Sequence, residues 1–374
     1  MSSVPVPGRR WPSVHLERRL HVEPRRAALV RLLGVVTALV LAGIFLQLTG
    51  RSALTLAADV MRSTFGERRG LEETAVIATP ILLDAIAVAI ALRMRIWNIG
   101  AEGQFYMGAW AAAGIGIHFH FATPLLLLMM ALAGVIGGAI WILVPAIARS
   151  YWNVNEIITT LLLNFVAVTW VEWFSIDIWR DKQAAVIQAT PLVNARLPGL
   201  FGSTTLHIGF LLPLALAVVA WYVFRNTRWG FEVDMIGGNP RAAEFAGINV
   251  RRRILAVMLI SGAIAGLSGM VHLAGAAGRL QGTISNSYGF SGFIVAALAG
   301  GSFVGLVAGG LFIALLLHSG ILLQTAGLSV YIVLAIYGMV LVGIAVAEMA
   351  ARYRLVITGG GSTGTSSPAS EELP

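Results

Sequence analysis

Ten apolar runs, separated by short polar segments, set the pattern of the chain. They cover 27–49, 74–92, 99–120, 124–148, 157–178, 207–224, 254–275, 289–302, 303–323 and 328–349. Most reach the roughly 20 residues that an α-helix needs to cross a hydrocarbon core of about 30 Å. Run 289–302 is too short and carries Gly289, Gly292, Gly300 and Gly301, which predicts a half-helix or a span built on a tight bend. The pattern predicts an all-α fold: a polytopic integral membrane helix bundle of about ten transmembrane helices, with one or two broken or re-entrant segments. Eight spans is the alternative, with 99–120 and 289–302 re-entrant.

Composition agrees with a lipid solvent. Hydrophobic residues make up 57% of the chain and charged residues 12%, with a mean hydropathy of +0.81; a soluble domain carries about 25% charge. Residues 1–26 hold six arginines and four prolines without an apolar core, so the run from Ala27 reads as a permanent span and not as a cleaved signal. The expected organisation is an arginine-rich tail (1–26), a membrane domain (27–349) with a polar loop at 225–253, and a disordered tail (350–374). With the N-terminus placed in the cytoplasm, 18 of the 26 basic residues fall in inside segments. Parity then puts both termini in the cytoplasm of a multi-pass protein, expected in a bacterial plasma membrane. The net charge of +8 follows from that topology, and a nucleic-acid partner is not expected; membrane lipid is.

Several chemistries lack their residues. The chain has no cysteine, which removes disulfides, thiol catalysis and cysteine metal sites. Lys182 is the only lysine and sits in Arg180-Asp181-Lys182-Gln183, so no phosphate-cradling P-loop exists. His118, His120, His207, His272 and His318 lack zinc-site spacing, and no Ser/His/Asp set is discernible. No metal site, catalytic residue or cofactor is expected in this chain.

Polar residues at membrane depth are the candidates for a pathway. Asn98-Ile99-Gly100-Ala101-Glu102-Gly103-Gln104 opens the third run, and reads either as an elaborate helix cap or as a broken entrance bordering a substrate path. Asp84 lies mid-run, four residues after Pro80, where an ionisable group is costly and faces a bundle interior. Glu156, Thr160 and Asn164 share one helix face, as a water-lined stripe or as interhelical hydrogen bonding. Gly262 and Gly266 are four apart, and Gly301, Gly305 and Gly309 repeat that spacing; small residues so placed allow close helix packing, within one subunit or between subunits.

Within 225–253, Asn239-Pro240 starts a helix well, with Asn as N-cap and Pro in the first turn. Gly247 provides a stop. A helix of about two turns bearing Ala242 and Ala243 leaves room for a docking partner; a simple connector is the alternative.

Segments 98–112, 153–165, 237–250, 261–269 and 289–300 together resemble the permease subunits of ATP-binding-cassette importers, in the branch that carries simple sugars, nucleosides and branched-chain amino acids. The block at 98–104 and Asn155-Glu156-Ile-Ile-Thr-Thr-Leu-Leu-Leu-Asn164 are most similar to nucleoside-type permeases. The resemblance implies a pathway subunit for a nucleoside or simple sugar, not an enzyme. A cytoplasmic ATPase holding ATP and magnesium would dock around Gly237, Gly238, Asn239, Pro240, Ala242, Ala243 and Gly247. A second, homologous permease would pair with this chain, and an external binding protein or lipoprotein would deliver cargo. Three places depart from the family pattern: Met94-Arg95, Asp84, and the proline-free turn at Gly300-Gly301. The alternative function is a self-sufficient secondary transporter or channel coupled through Asp84.

Overall fold

Backbone groups in hydrocarbon find no water, so each apolar run must close its own hydrogen bonds as a helix. The computed structural model describes residues 13–18, 24–183, 188–202 and 205–358. Its helices are α1 (Pro24–Leu48), α2 (Ala53–Phe65), α3 (Arg68–Leu92), α4 (Ala101–His118), α5 (Thr123–Trp152), α6 (Glu156–Trp173), α7 (Leu211–Asn226), α8 (Arg228–Gly238), α9 (Pro240–Phe245), α10 (Val250–His272), α11 (Tyr288–Ala299), α12 (Phe303–Thr325) and α13 (Val330–Arg352). Among the described residues eight helices are long and apolar enough to cross a membrane: α1, α3, α5, α6, α7, α10, α12 and α13, with α6 and α10 each prolonged by a π turn. The ten expected spans thus resolve into these eight plus α4 and α11. The two exceptions are the runs 99–120 and 289–302: α4 has a polar first turn, and α11, with 12 residues, is only about 18 Å long. Two helices were not anticipated. α2 lies in a segment read as loop, and α8 precedes the short polar helix of the 225–253 loop.

The chain forms two compact units, residues 1–53 with 330–374, and residues 54–329. In the first, α1 and α13 run antiparallel. A Cβ on Gly34 would overlap Ala347, and one on Gly343 would overlap Ala38, so small residues let the two backbones close. Glu348 accepts from Arg31 at 2.6 Å and from Arg352 at 2.6 Å. Strands β1 (Ser13–Arg18) and β2 (Tyr353–Thr358) pair antiparallel, Ser13 opposite Thr358 and Arg18 opposite Tyr353. The expectation of disorder from residue 350 is therefore corrected for 350–358, where the run Val356-Ile357-Thr358 suits a strand. Residues 1–12, 19–23 and 359–374 lie outside the described residues.

In the second unit, α4 is buried along most of its length, against α3, α5, α6 and α10. Glycines set the crossings. Cβ atoms on Gly262 and Gly266 would strike the backbone of α5 at Gly134 and Gly138, and one on Gly269 would strike Phe105 of α4. This pair therefore packs within the chain. The second glycine series is only partly a packing face. Gly301 is not on a helix; with Gly300 it makes the turn before α12, both at positive φ (89° and 58°). A Cβ on Gly305 would meet its own helix cap, Ser302, and one on Gly309 would lie 3.4 Å from Val295 of α11.

The segment before α7 folds over the end of α10. Arg196 caps that end, donating to the carbonyls of Ala274 (3.1 Å), Gly275 (3.4 Å) and Ala276 (3.2 Å). His207 is buried beneath Gly275, and its Nδ1 has no partner among the described residues.

Gly266→Leu should cost about 1–3 kcal/mol or more, read as a lower melting temperature in detergent, whereas Gly238→Ala, with open space around it, should lose nothing. Burial, with Arg196 nearby, pushes the His207 imidazole down from 6.5 to about 4. The folded state then binds fewer protons than the unfolded chain between those values, so stability is full above about pH 6.5 and falls as pH drops towards 4. His207→Gln should flatten that part of a stability–pH profile.

Candidate functional site

The sequence Asn98–Gln104 builds the start of α4 residue by residue. The amides of Asn98 and Gln104 pair reciprocally, at 2.9 and 2.8 Å, across the turn. Asn98 Nδ2 also donates to Ser261 Oγ (2.8 Å), which donates to the Ala87 carbonyl (2.6 Å), tying the turn to α10 and α3. Gly100 and Gly103 let α6 close in: a Cβ on Gly100 would lie 2.8 Å from Thr160 Cβ, and one on Gly103 would lie 2.8 Å from Asn164 Oδ1. Asn164 accepts from the Gly103 N–H (2.8 Å) and donates to the Ile99 carbonyl (3.0 Å). At the foot of α6, Glu156 accepts from the Trp97 N–H (3.2 Å) and faces Arg149 (3.3 Å).

Glu102 joins this start to a second one. Its Oε2 accepts from the N–H of Gly289 at 2.7 Å, in the first turn of α11, and the Phe290 N–H and the Ser285 hydroxyl face the same carboxylate. Gly289 permits the approach, since a Cβ there would overlap the Glu102 backbone. One carboxylate thus sits at the positive ends of two helices, its own α4 and the half-helix α11. Asn164 is eight residues into α6, so this junction lies about 12 Å from the start of that span, deep in the bundle.

Asp84 is the neighbour across the α3–α11 crossing, where a Cβ on Gly292 would lie 2.7 Å from Asp84 Cβ. It is fully buried and neither carboxylate oxygen has a hydrogen-bond partner among the described residues. Ser268 lies beside it, but donates its hydroxyl to the Pro80 carbonyl at 3.1 Å.

The structure therefore brings Asn98, Glu102, Gln104, Asn164 and Asp84 together, with Glu156 and Thr160 below them. All are buried, and apart from Asp84 their heads are engaged by other protein groups. Exposed polar residues occur elsewhere. Glu172 sits near the end of α6, and Thr283, Asn286 and Ser287 lie on the loop that leads down to α11. Sequence reading missed them because Glu172 is isolated in an apolar run and the loop carries no motif. The available signal was the Thr-Ile-Ser-Asn-Ser run immediately before the short glycine-marked segment.

At the arginine-bearing end of the unit, α8 and α9 form a platform. Asn239 caps α9, accepting from the N–H groups of Arg241 (3.1 Å) and Ala242 (3.2 Å), and Gly247 follows with φ 80°. The expected short helix is present, at six residues. Ala243, however, is fully buried and belongs to the inner face; the outward apolar residue is Phe245, 93% exposed. Gly237 packs against the Arg93 carbonyl, which a Cβ would overlap. Glu232 of α8 is held by Arg253 of α10 and by Arg228 (2.9 Å). Low exposure opposes its charge, but the hydrogen bonds from Arg253 and Arg228 outweigh this and hold the carboxyl below its usual range. Arg93 meets Asp234 of α8 at 3.3 Å and donates to the Gly301 carbonyl, beyond α11, at 3.0 Å.

Removing the shared carboxylate with Glu102→Ala strips α11 of its first-turn acceptor and should cost about 1.5–3 kcal/mol; Asp84→Asn, which loses no observed bond, should cost less than Glu102→Ala. Melting of the two variants in detergent measures both.

Comparison with known proteins places this architecture. The family model described as the permease component of branched-chain amino acid transport systems matches residues 70–358. A glucose ABC transporter permease of Haloferax volcanii is 32% identical over 356 residues, covering 90% of this chain and 94% of the relative. A guanosine ABC transporter permease of Bacillus subtilis is 30% identical over 75% of this chain and 81% of its own. A nucleoside ABC transporter permease of Lactococcus lactis is 29% identical over 78% and 83%. No solved structure gives a significant match. Permeases of this kind operate with ATPase and substrate-binding partners, and the multi-pass bundle described above is the form such a subunit takes. The chain belongs to the family of permease subunits of ATP-binding-cassette importers, in its simple-sugar and nucleoside branch.

Proposed function

We propose that this chain forms one half of the passage of an importer for a small hydroxylated solute, a nucleoside or a simple sugar, with a separate ATPase supplying the energy. The relatives named for glucose and guanosine share a cargo with a hydroxylated sugar ring, and that ring is the common chemistry. In this reading ATP and magnesium belong to the ATPase, this chain catalyses no reaction of its own, and a second homologous permease completes the passage. An external binding protein delivers cargo, and the arginine-bearing end with both chain termini faces the cytoplasm.

The observation that carries the reading is the α8–α9 platform. Its short helix exposes Phe245 while the helix before it is tied to α10 by Glu232–Arg253 and to α3 by Asp234–Arg93. A push on α9 therefore reaches two spans directly. Through the bond from Arg93 to Gly301 it also reaches the end of α11. Closure of the ATPase pair would move the half-helix whose other end is fixed by Glu102, and so switch access between the two sides. Asn98, Gln104, Asn164, Glu156 and Glu102 act in this scheme as the frame that keeps the broken segments in register, behind the passage wall.

The unpartnered carboxyl of Asp84 favours one second reading, a secondary transporter coupled through that residue; uptake driven by an ion gradient without the ATPase would support it. In proteoliposomes holding the whole complex, Phe245→Ser should lower ATP-driven uptake at least tenfold while the permease still inserts and melts normally, and Phe245→Leu should retain most uptake. Undiminished uptake by Phe245→Ser would remove α9 as the docking element.

A further inference from the structure

α11 does not reach across a membrane, and the chain that completes its crossing is polar. Its last turn lies beside Arg93, and its first turn is bound by Glu102, about 18 Å away along the helix axis. The remaining depth is covered by Gly278–Ser287, a loop that descends from the end of α10 to the middle of the bundle. Non-helical backbone at membrane depth is tolerated only where protein buries it or where it lines water. Part of this loop is buried: Ile284 and Leu280 point inward, and Thr190 closes on Leu280 at 3.0 Å. Thr283, Asn286 and Ser287 are instead exposed, and no partner takes up the hydroxyls of Thr283 and Ser287 among the described residues.

Glu172 faces the same region. It is exposed, and its carboxylate has no hydrogen-bond or ionic partner among the described residues. It lies six residues before the end of the span Glu156–Ile178, inside an apolar run and not in a connecting loop. A carboxylate there that faced lipid would be strongly disfavoured. Its stem packs on the loop, because a Cβ on Gly282 would lie 3.2 Å from both Cβ and Cγ of Glu172. The Gly282 carbonyl in turn accepts from Tyr106 of α4 at 2.9 Å. Carboxylate and loop are therefore held as one surface: an acceptor at Glu172, hydroxyls at Thr283 and Ser287, and an amide at Asn286.

Resting on the importer reading above, we infer that Glu172 and the descending loop form the cargo contact in the half of the passage away from the α8–α9 platform, with Glu172 accepting hydrogen bonds from adjacent hydroxyls of a neutral, polyhydroxylated ring. An ionised carboxylate can accept from two neighbouring hydroxyls at once, and charge-assisted bonds of this kind are stronger than those between neutral groups. The loop hydroxyls and amide complete the shell without adding charge, which suits a neutral cargo that must leave again.

The absence of native cysteine makes the test direct. In the assembled complex in membranes, Asn286→Cys and Ser287→Cys should react with a membrane-impermeant thiosulfonate at least tenfold faster than Leu132→Cys on the exposed face of α5. Reaction as slow as Leu132→Cys would overturn the inference, and this arm needs no known cargo. In proteoliposomes, with labelled guanosine and glucose as probes, Glu172→Gln should raise KM for the transported probe at least tenfold with ATPase activity retained, and Glu172→Asp should recover part of it. An unchanged KM would overturn the assignment. So would dissociation of the permease pair on size exclusion, which would make Glu172 a subunit contact. Uptake that persists without the ATPase, with fast labelling and the KM shift intact, would instead sink the importer reading and leave the cargo contact standing.

Discussion

A single carboxylate placed between two helix starts organises the second unit of this protein. Glu102 belongs to the first turn of α4 and accepts from the first turn of α11. Two half-broken segments enter the bundle from opposite ends, each leaving N–H groups unsatisfied where no water is available. The Glu102 carboxylate answers the Gly289 N–H of α11, while in α4 the Gly103 N–H is met by Asn164 and the charge acts through the helix dipole. The Asn98–Gln104 amide pair, the Asn164 bonds and the close approach at Gly100, Gly103 and Gly289 all serve to fix that junction.

In the proposed mechanism the same junction would hold the middle of the bundle while its end moves. α11 is anchored at Glu102 and, at its other end, reaches Arg93 through a glycine turn. Arg93 also faces Asp234 on the α8–α9 platform. Close packing at Gly262, Gly266 and Gly269 fixes α10 against α5 and α4, so force arriving through Arg253 would be passed along the span and not absorbed in loose contacts. In the proposed reading the docking surface, the lever and the pivot lie in one connected set of contacts.

The polar residues at membrane depth divide into two groups. Asn98, Gln104, Asn164, Glu156 and Glu102 are buried and bonded to protein, so their expense in hydrocarbon is met within the fold. Asp84 is buried, and neither of its carboxylate oxygens has a hydrogen-bond partner among the described residues. Glu172, Thr283, Asn286 and Ser287 are exposed, and exposure at depth needs a watery surface. The distinction depends on which way each head points, which explains why a polar stripe on α6 read equally well as glue or as lining.

Much was legible from the sequence. Apolar run lengths gave the helices and singled out 289–302 as too short to cross, because hydrocarbon thickness fixes the length a span must have. The Asn239-Pro240 start and the Gly247 stop of α9 were readable because capping is local chemistry. The 98–104 block was readable as the start of a helix, whether cap or broken entrance, for the same reason, and α4 begins at Ala101. Tertiary structure alone decided that Gly289 supplies the second ligand of Glu102, that Ala243 faces inward while Phe245 faces outward, that Gly301 forms a turn, and that residues 353–358 pair with 13–18. Each of these depends on contacts between segments far apart in the chain, and local propensity and periodicity carry no information about which distant backbone will arrive.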